Sequence, residues 1–373
     1  MHAAARRWWL RLHRWLGLGL GLALAVVAFT GASMIVLEPL DQRLHRELFA
    51  AATPDAPPAS LDAMRLAVVQ RHGAQASFTM RPPRAPGDTF WVRVNGPWHG
   101  TVYVDPSTAS ILGHRGEREG VFNFLFELHS TLLLGDAGKP LLAVIALSYL
   151  FLLATGLVLW WPRNWRQAWR MRFDGGATRS LFDLHRVAGS LLGIVIAVSV
   201  ASGAYMAWKP LSRLVTAISG DAPAKPPVVT SVPGAAASLQ AMARTAQALF
   251  PQAAIGYVQF TPQPSKPVRF RLKLPDDPHP NGLTSVWFHP VTGAVLALHR
   301  WDELDAGTKG NSYMYPLHTG ELGGVAHEVL NAVCGFALFG LGLTGTWLWW
   351  RRRRTRGPAP AQRAGSAWRR HPF

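Results

Sequence analysis

Residues 12–22 read LHRWLGLGLGL and residues 184–194 read LHRVAGSLLGI, and the fold follows from that pair of lines. Each opens on a His–Arg step and runs into a stretch free of Asp, Glu, Lys and Arg, 15–37 in the first case and 187–208 in the second. Two further charge-free stretches occupy 140–162 and 329–350. All four are 22 or 23 residues long, which at about 1.5 Å per helical residue covers a hydrocarbon core of roughly 30 Å. The sequence therefore predicts an all-α bundle of four membrane helices. Composition agrees, since 49% of the 373 residues are hydrophobic and only 16% are charged, against about 25% charge in soluble domains. A single cysteine, Cys334, excludes an internal disulfide and any cluster held by several thiolates.

The likeness between the two lines extends through the chain. Residues 127–140, ELHSTLLLGDAGKP, precede the second stretch, and residues 316–329, PLHTGELGGVAHEV, precede the fourth. The second stretch ends ATGLVLWWPR and the fourth LTGTWLWWRR. His13 to Gly31 and His185 to Gly203 are both 18 residues apart, and His129 to Gly156 and His318 to Gly345 are both 27. Two halves running in the same direction predict a pseudo-two-fold repeat about an axis along the membrane normal.

Charge assigns the sides. Residues 1–14 carry four Arg and no acid, 163–186 carry six Arg against Asp174 and Asp183, and 351–373 carry eight Arg and no acid. The long segments 38–139 and 209–328 are nearly neutral, with ten basic against eleven acidic residues and ten against eight. Arg confined to short flanks is the positive-inside pattern, so both termini are expected in the cytoplasm and both long loops outside. The +17 formal charge is thus a topology signal and suits anionic lipids, not nucleic acid. The first apolar run is too long for a cleaved signal peptide and is expected to be retained.

Both long loops carry the same pattern. A helical stretch at 60–72 precedes strand-like ASFTMRP, TFWVRVNG and GTVYVDPSTASIL; one at 236–250 precedes IGYVQFTP, PVRFRLKLP and TSVWFHPVTGAVLALH. The alternation and the intervening turn residues predict a small α+β domain in each loop, a helix over a short antiparallel sheet.

The order of LHRWLG, FNFLFELHSTLLLG, TGLVLWWPR, LHRVAG and YPLHTGELGG around four spans resembles the PepSY-associated transmembrane family, which includes bacterial iron-regulated inner-membrane proteins and ferrisiderophore reductases. The resemblance covers residues 6–352. It implies PepSY-like folds in the outer loops, heme b held by histidines, and delivery of electrons to a ferric siderophore. On that reading the chain divides into span 8–38, periplasmic domain 39–119, juxtamembrane helix 120–139, span 140–162, cytoplasmic loop 163–183, span 184–208, periplasmic domain 209–312, juxtamembrane helix 313–328, span 329–350 and basic tail 351–373. The implied setting is the bacterial inner membrane, with two periplasmic loops.

Four of the 14 histidines, His13, His185, His129 and His318, occupy duplicated places beside the four spans. Pairing the halves gives His13 with His185 on the inner side and His129 with His318 on the outer, two bis-histidine sites suited to two low-spin hemes. His13, Gly17 and Gly21 share a helix face, as do His185, Gly189 and Gly193, leaving room for a flat macrocycle or for close helix packing. Arg14 and Arg186 either meet heme propionates or mark the membrane edge. His129 lies 32 residues before Trp161 and His318 lies 32 before Trp350, about 48 Å of straight helix. Gly135–Gly138 and Gly320–Gly324 are therefore expected to break the helices. His327 is the alternative ligand on the fourth span. The remaining histidines show no zinc spacing, and no Gly-rich nucleotide motif supports NAD or flavin. The donor is then a quinol or a cytoplasmic reductase docking on the Arg-rich inner loop. Trp91, Trp98, Tyr313, Met314 and Tyr315 are candidate substrate contacts near the outer surface. The rival reading is a non-enzymatic membrane-anchored sensor or binding protein.

Overall fold

The computed structural model describes residues 2–162 and 164–354, so the basic tail beyond Arg354 lies outside the described residues. The chain begins with α1 (Ala3–Leu44) and the short α2 (Arg46–Phe49), then forms α3 (Leu61–His72), β1 (Ser77–Arg81), β2 (Phe90–Asn95), β3 (His99–Val104) and β4 (Ile111–Gly116). It continues through α4 (Gly120–Thr131), α5 (Gly138–Trp160), α6 (Trp165–Ala168), α7 (Gly176–Leu191), α8 (Gly193–Ala207) and α9 (Lys209–Ser219). The second outer segment is α10 (Leu239–Leu249) with β5 (Ala254–Phe260), β6 (Val268–Lys273), β7 (Thr284–Phe288) and β8 (Val295–His299); α11 (Ala306–Thr319) and α12 (Gly324–Arg354) complete the described chain.

Among the described residues, three helical segments are long and apolar enough to cross a membrane: Ala3–Leu44, Gly135–Trp160 and Glu321–Arg354. Where the sequence predicts one membrane helix over 184–208, the structure has α7 and α8 meeting at 63°. The break is set by packing. A Cβ on Gly193 would stand 2.5 Å from Leu153 Cδ1, and the Tyr149 hydroxyl donates to Gly193 O at 3.1 Å. The bent pair counts as a fourth crossing only if it is one span. α1 packs along α12 and α5, and α5 along α8. Leu24, Ile145, Tyr149, Ile196, Cys334 and Leu338 form the buried centre, while Phe151, Ile194 and Val329 point outward with more than half their surface exposed, as lipid-facing side chains do.

The outer segments form one antiparallel sheet of eight strands in the order β4-β3-β2-β1-β5-β6-β7-β8. This corrects the expectation of two separate sheets: each half supplies four strands, and β1 pairs with β5 through Phe78–Phe260, Thr79–Gln259 and Met80–Val258. An unpaired edge is a liability, and joining the two edges removes both. α3 and α10 cover one face. Met64, Val68, Leu239 and Met242 press on Phe78, Met80, Val92, Phe270 and Val286, all at most 2% exposed. The helix starts meet reciprocally, with Gln240 accepting from Leu61 N at 2.9 Å and Asp62 accepting from Leu239 N at 2.9 Å.

The other face turns toward the membrane helices. Arg115 of β4 pairs at 2.6 Å with Asp41 in the last turn of α1. Phe49 of α2 packs edge-on against Trp91 and Tyr103, with ring centres 5.5 and 5.0 Å apart.

Candidate functional site

The four duplicated histidines meet in the two pairs that the repeat predicts. His13 on α1 and His185 on α7 have ring centres 6.5 Å apart with planes at 87°. His129 on α4 and His318 on α11 stand 5.9 Å apart with planes at 30°. An iron held between two imidazoles at about 2 Å from each nitrogen separates the ring centres by about 6 Å, so both spacings fit that use.

Hydrogen bonding fixes the tautomers. His13 Nδ1 lies 2.8 Å from Thr155 Oγ1, and that hydroxyl already donates to Leu152 O, so the imidazole N–H is the donor. His185 repeats this with Thr344 at 2.9 Å, whose hydroxyl donates to Gly340 O. In the outer pair Nδ1 donates directly to main-chain carbonyls, His129 to Val27 O at 2.9 Å and His318 to Ser199 O at 2.8 Å. A protonated Nδ1 leaves the Nε2 lone pair free in all four, the arrangement found in metal-ligating histidines.

The glycines at the matched intervals are the seats of these rings, each on a different helix from the ring it receives. A Cβ on Gly31 would stand 2.6 Å from His129 Cε1, and one on Gly203 would stand 2.6 Å from His318 Cε1. Gly156 and Gly345 receive His13 and His185 less tightly, at 3.3 Å. A small hydroxyl residue precedes every seat: Thr30–Gly31, Thr155–Gly156, Ser202–Gly203 and Thr344–Gly345. Sequence reasoning found the intervals and missed the seats and the threonine acceptors. The signal that carries them is this fourfold hydroxyl–glycine step.

The inner pair borders a cavity of about 560 Å³ lined by Gly17, Gly21, Gly156, Gly189 and Gly345 and opening among Arg6, Arg14, Arg186, Arg352 and Arg353. Gly193 does not join that wall and is spent on the bend. Arg186 binds buried Asp183 at 3.2 Å and the Arg170 carbonyl at 2.7 Å, so Arg14 is the better placed of the sequence's two candidates to meet an anionic group here. Among the described residues no three His, Cys, Asp or Glu side chains converge to hold a metal ion. A heme brings four nitrogens of its own and asks the protein for two axial ligands, so the residues present fit that group.

The outer histidines reach their places because the helices stop. Leu132 and Leu133 adopt φ of 54° and 61° directly after α4, and Gly320 and Gly324 adopt 94° and 60° between α11 and α12. Gly135–Ala137 and Glu321–Gly323 are short 3-10 turns. The alternative ligand His327 sits half-buried in the first turn of α12, and no ring contact joins it to His129.

The candidate substrate contacts separate. Trp91 lies under the Arg81 guanidinium at 3.5 Å on the membrane-facing side of the sheet. Tyr315 stacks on His279 at 4.6 Å; burial and the nearby Glu321 carboxylate push its hydroxyl up to about 12. His279 is held down to about 3 by burial and by Arg271, Lys273 and Arg84. Tyr313 is exposed beside Trp301 and Met314 is half-buried next to it. Trp98 stacks on His72 and packs against the helix-covered core, apart from the others.

A comparison with curated proteins finds no match. The family model for the PepSY-associated TM region matches residues 10–352, which takes in both histidine pairs, the whole sheet and every helix but the first turns of α1 and the last two residues of α12. With that match over nearly its full length, the chain belongs to the PepSY-associated transmembrane family.

Proposed function

We propose that this chain is a di-heme electron-transfer protein of the bacterial inner membrane that reduces a periplasmic ferric siderophore, a ferric-chelate reductase. The observation that carries the reading is the two pairs of close imidazoles, 6.5 and 5.9 Å between ring centres, with every Nδ1 committed to a hydrogen bond. His13 and His185 would hold the inner heme b, and His129 and His318 the outer. Bound there, the two hemes would supply one-electron carriers on opposite sides of the membrane.

The chain's own residues do the rest. The threonine and carbonyl acceptors hold the imidazoles in one tautomer and raise their basicity. The glycine seats let the rings back onto neighbouring helices, and apolar helices keep water from the path. Arg6 and Arg14 offer positive charge at the inner mouth, where a propionate or an anionic lipid headgroup is stabilised. The proposed topology has four crossings, counting α7 and α8 as one, with both termini cytoplasmic and the sheet periplasmic. A quinol or a cytoplasmic reductase gives up one electron for each ferric ion reduced, and loss of the third charge weakens the iron's hold on oxygen donors.

A second reading, a membrane-anchored PepSY-type sensor or binding protein, draws support from the family membership and the continuous eight-stranded sheet and needs no cofactor. One measurement separates them. Protein purified after heme-replete expression should show two low-spin b-type hemes per chain and reoxidise when a ferric chelate is added. A folded, colourless preparation would leave the sensor reading.

A further inference from the structure

The two faces of the sheet differ in a way that its covering does not explain. Under α3 and α10, Phe78, Met80, Val92, Val258, Phe270 and Val286 are at most 2% exposed. On the face turned to the membrane helices, Tyr103, Arg115 and Ser285 are buried, but Arg81, Trp91, Tyr257, Arg269, Arg271 and Trp287 are only partly so, although Asp41, Phe49 and Tyr315 stand across from that face. The space between the sheet and the helix ends is therefore less tightly closed than the face under α3 and α10.

The chemistry of this face is basic and aromatic. Arg81 lies over Trp91 at 3.5 Å, Arg269 over Trp287 at 4.8 Å and Arg271 over Tyr257 at 5.4 Å. None of these three arginines joins an ion pair among the described residues. Arg269 spends its donors on Ser285 Oγ and Arg271 on Gly282 O. Arg81 Nε is buried with no hydrogen-bond partner at all. Burial, and after it the neighbouring Arg271, hold Arg269 down to about 10. With rings over the guanidinium faces and the Nε and Nη2 groups of Arg269 and Arg271 already bonded, Nη1 of these two and the Arg81 Nε are the donors left for an oxygen-rich anion.

The place matters as well. Tyr315 lies one helical turn before His318 on α11, and Glu38, within electrostatic reach of Arg81, lies seven residues beyond Gly31, the seat of His129. Seven residues of helix are about 10 Å. Arg81 and Arg271 thus come within electrostatic reach of Tyr315, one turn from His318.

We infer that Arg81, Arg269 and Arg271, stacked on Trp91, Trp287 and Tyr257, form the binding face for the ferric substrate and select a chelate of net negative charge bearing aromatic oxygen donors, such as a tris-catecholate, over a neutral trihydroxamate. The inference rests on the reductase reading for the identity of the ligand, and its test does not use electron transfer. Gallium(III) replaces iron in both chelates without being reducible.

Binding of gallium tris-catecholate and of neutral gallium trihydroxamate to the full-length protein in nanodiscs is measured by tryptophan quenching at two salt concentrations. The trianionic complex should bind at least about tenfold tighter and weaken as salt rises. Arg81→Gln should weaken it about tenfold, whereas Arg93→Gln, whose parent residue is already paired with Glu117 at 2.9 Å, should change it less than about twofold. Equal affinity of the intact protein for the two complexes overturns the inference whether or not the variants fold, as does unchanged affinity in a folded Arg81→Gln protein. Selective binding by a preparation without heme supports the anion site and sinks the reductase reading. Two hemes with no charge preference does the reverse.

Discussion

The inner and outer histidine pairs are built from the same repeat and held by different means. Inner imidazoles donate to threonine side chains, lie nearly perpendicular and rest 3.3 Å from where a seat Cβ would be; outer imidazoles donate to backbone carbonyls, lie within 30° of parallel and leave only 2.6 Å. A side-chain acceptor can be removed without disturbing a helix, and a main-chain acceptor cannot. The inner pair is therefore tunable by substitution, whereas the outer pair is fixed by helix position and by the turns that end α4 and α11.

The largest effect that tests this contrast is ligand removal. His13→Ala or His185→Ala should abolish the inner low-spin heme signal and spare the outer, while His129→Ala or His318→Ala should do the opposite. Electron paramagnetic resonance sharpens the assignment, because perpendicular ligand planes give a more anisotropic low-spin signal than near-parallel ones. If His327→Ala removes the outer signal and His318→Ala keeps it, the outer pair is misassigned.

Next come the seats. Gly31→Ala and Gly203→Ala place a methyl at 2.6 Å from a ring, closer than van der Waals contact allows, and should displace the outer imidazole and lose most outer heme. Gly156→Ala and Gly345→Ala, at 3.3 Å, need a shift of only a few tenths of an ångström and should keep the inner heme. Equal losses at all four positions would erase the distinction between loose and tight seating.

How much of this was legible in the sequence follows the same division. Paired histidines, glycine intervals and helix-breaking turns are local or periodic, and the linear pattern carries them. The bend at Leu192 is not, because Leu191–Leu192–Gly193 contains no proline and the break comes from Leu153 and Tyr149 on another helix. Left-handed Leu132 and Leu133 escape for a related reason: leucine signals helix, and tertiary closure overrides it. The fusion of two sheets at β1 and β5 is equally silent, since alternation specifies a face and not a partner. Arginines on the far side of alternating strands read as solvent-facing until α1 and α11 are seen across from them.

A smaller effect separates loss of the sheet from loss of the hemes. His279 is 6% exposed, and its folded pKa of about 3 lies below the ordinary value of 6.5, so protonation favours the unfolded state. Its contribution is complete above pH 6.5 and is lost as the pH falls toward 3. The Asp105 carboxylate acts in the same direction, since hydrogen bonds from Ser107, Ala52 and Thr108 outweigh its desolvation and hold it well below the usual range. Sheet unfolding followed by circular dichroism should weaken by a few kcal/mol across that interval, and His279→Gln should flatten the profile. An unchanged profile in His279→Gln would remove this histidine from the acid response.

The smallest effect falls on the threonines and is the most direct test of the contrast. Thr155→Val and Thr344→Val keep the shape of the side chain and delete the acceptor for His13 and His185 Nδ1, the bonds of 2.8 and 2.9 Å. An unbonded buried N–H costs about 1–3 kcal/mol, and losing the partner of a ligating imidazole lowers affinity about 10- to 100-fold. Inner heme should then dissociate faster to an acceptor protein, while the outer rate stays the same. Thr30 occupies the matching place beside the outer pair, but its hydroxyl lies 3.4 Å from His129 Nδ1 and Val27 O already accepts from that nitrogen at 2.9 Å. Thr30→Val should therefore leave outer heme retention within about twofold. Should Thr30→Val accelerate outer heme loss as much as Thr155→Val accelerates inner loss, the carbonyl is not the working acceptor, and the two pairs are held by side chains alike.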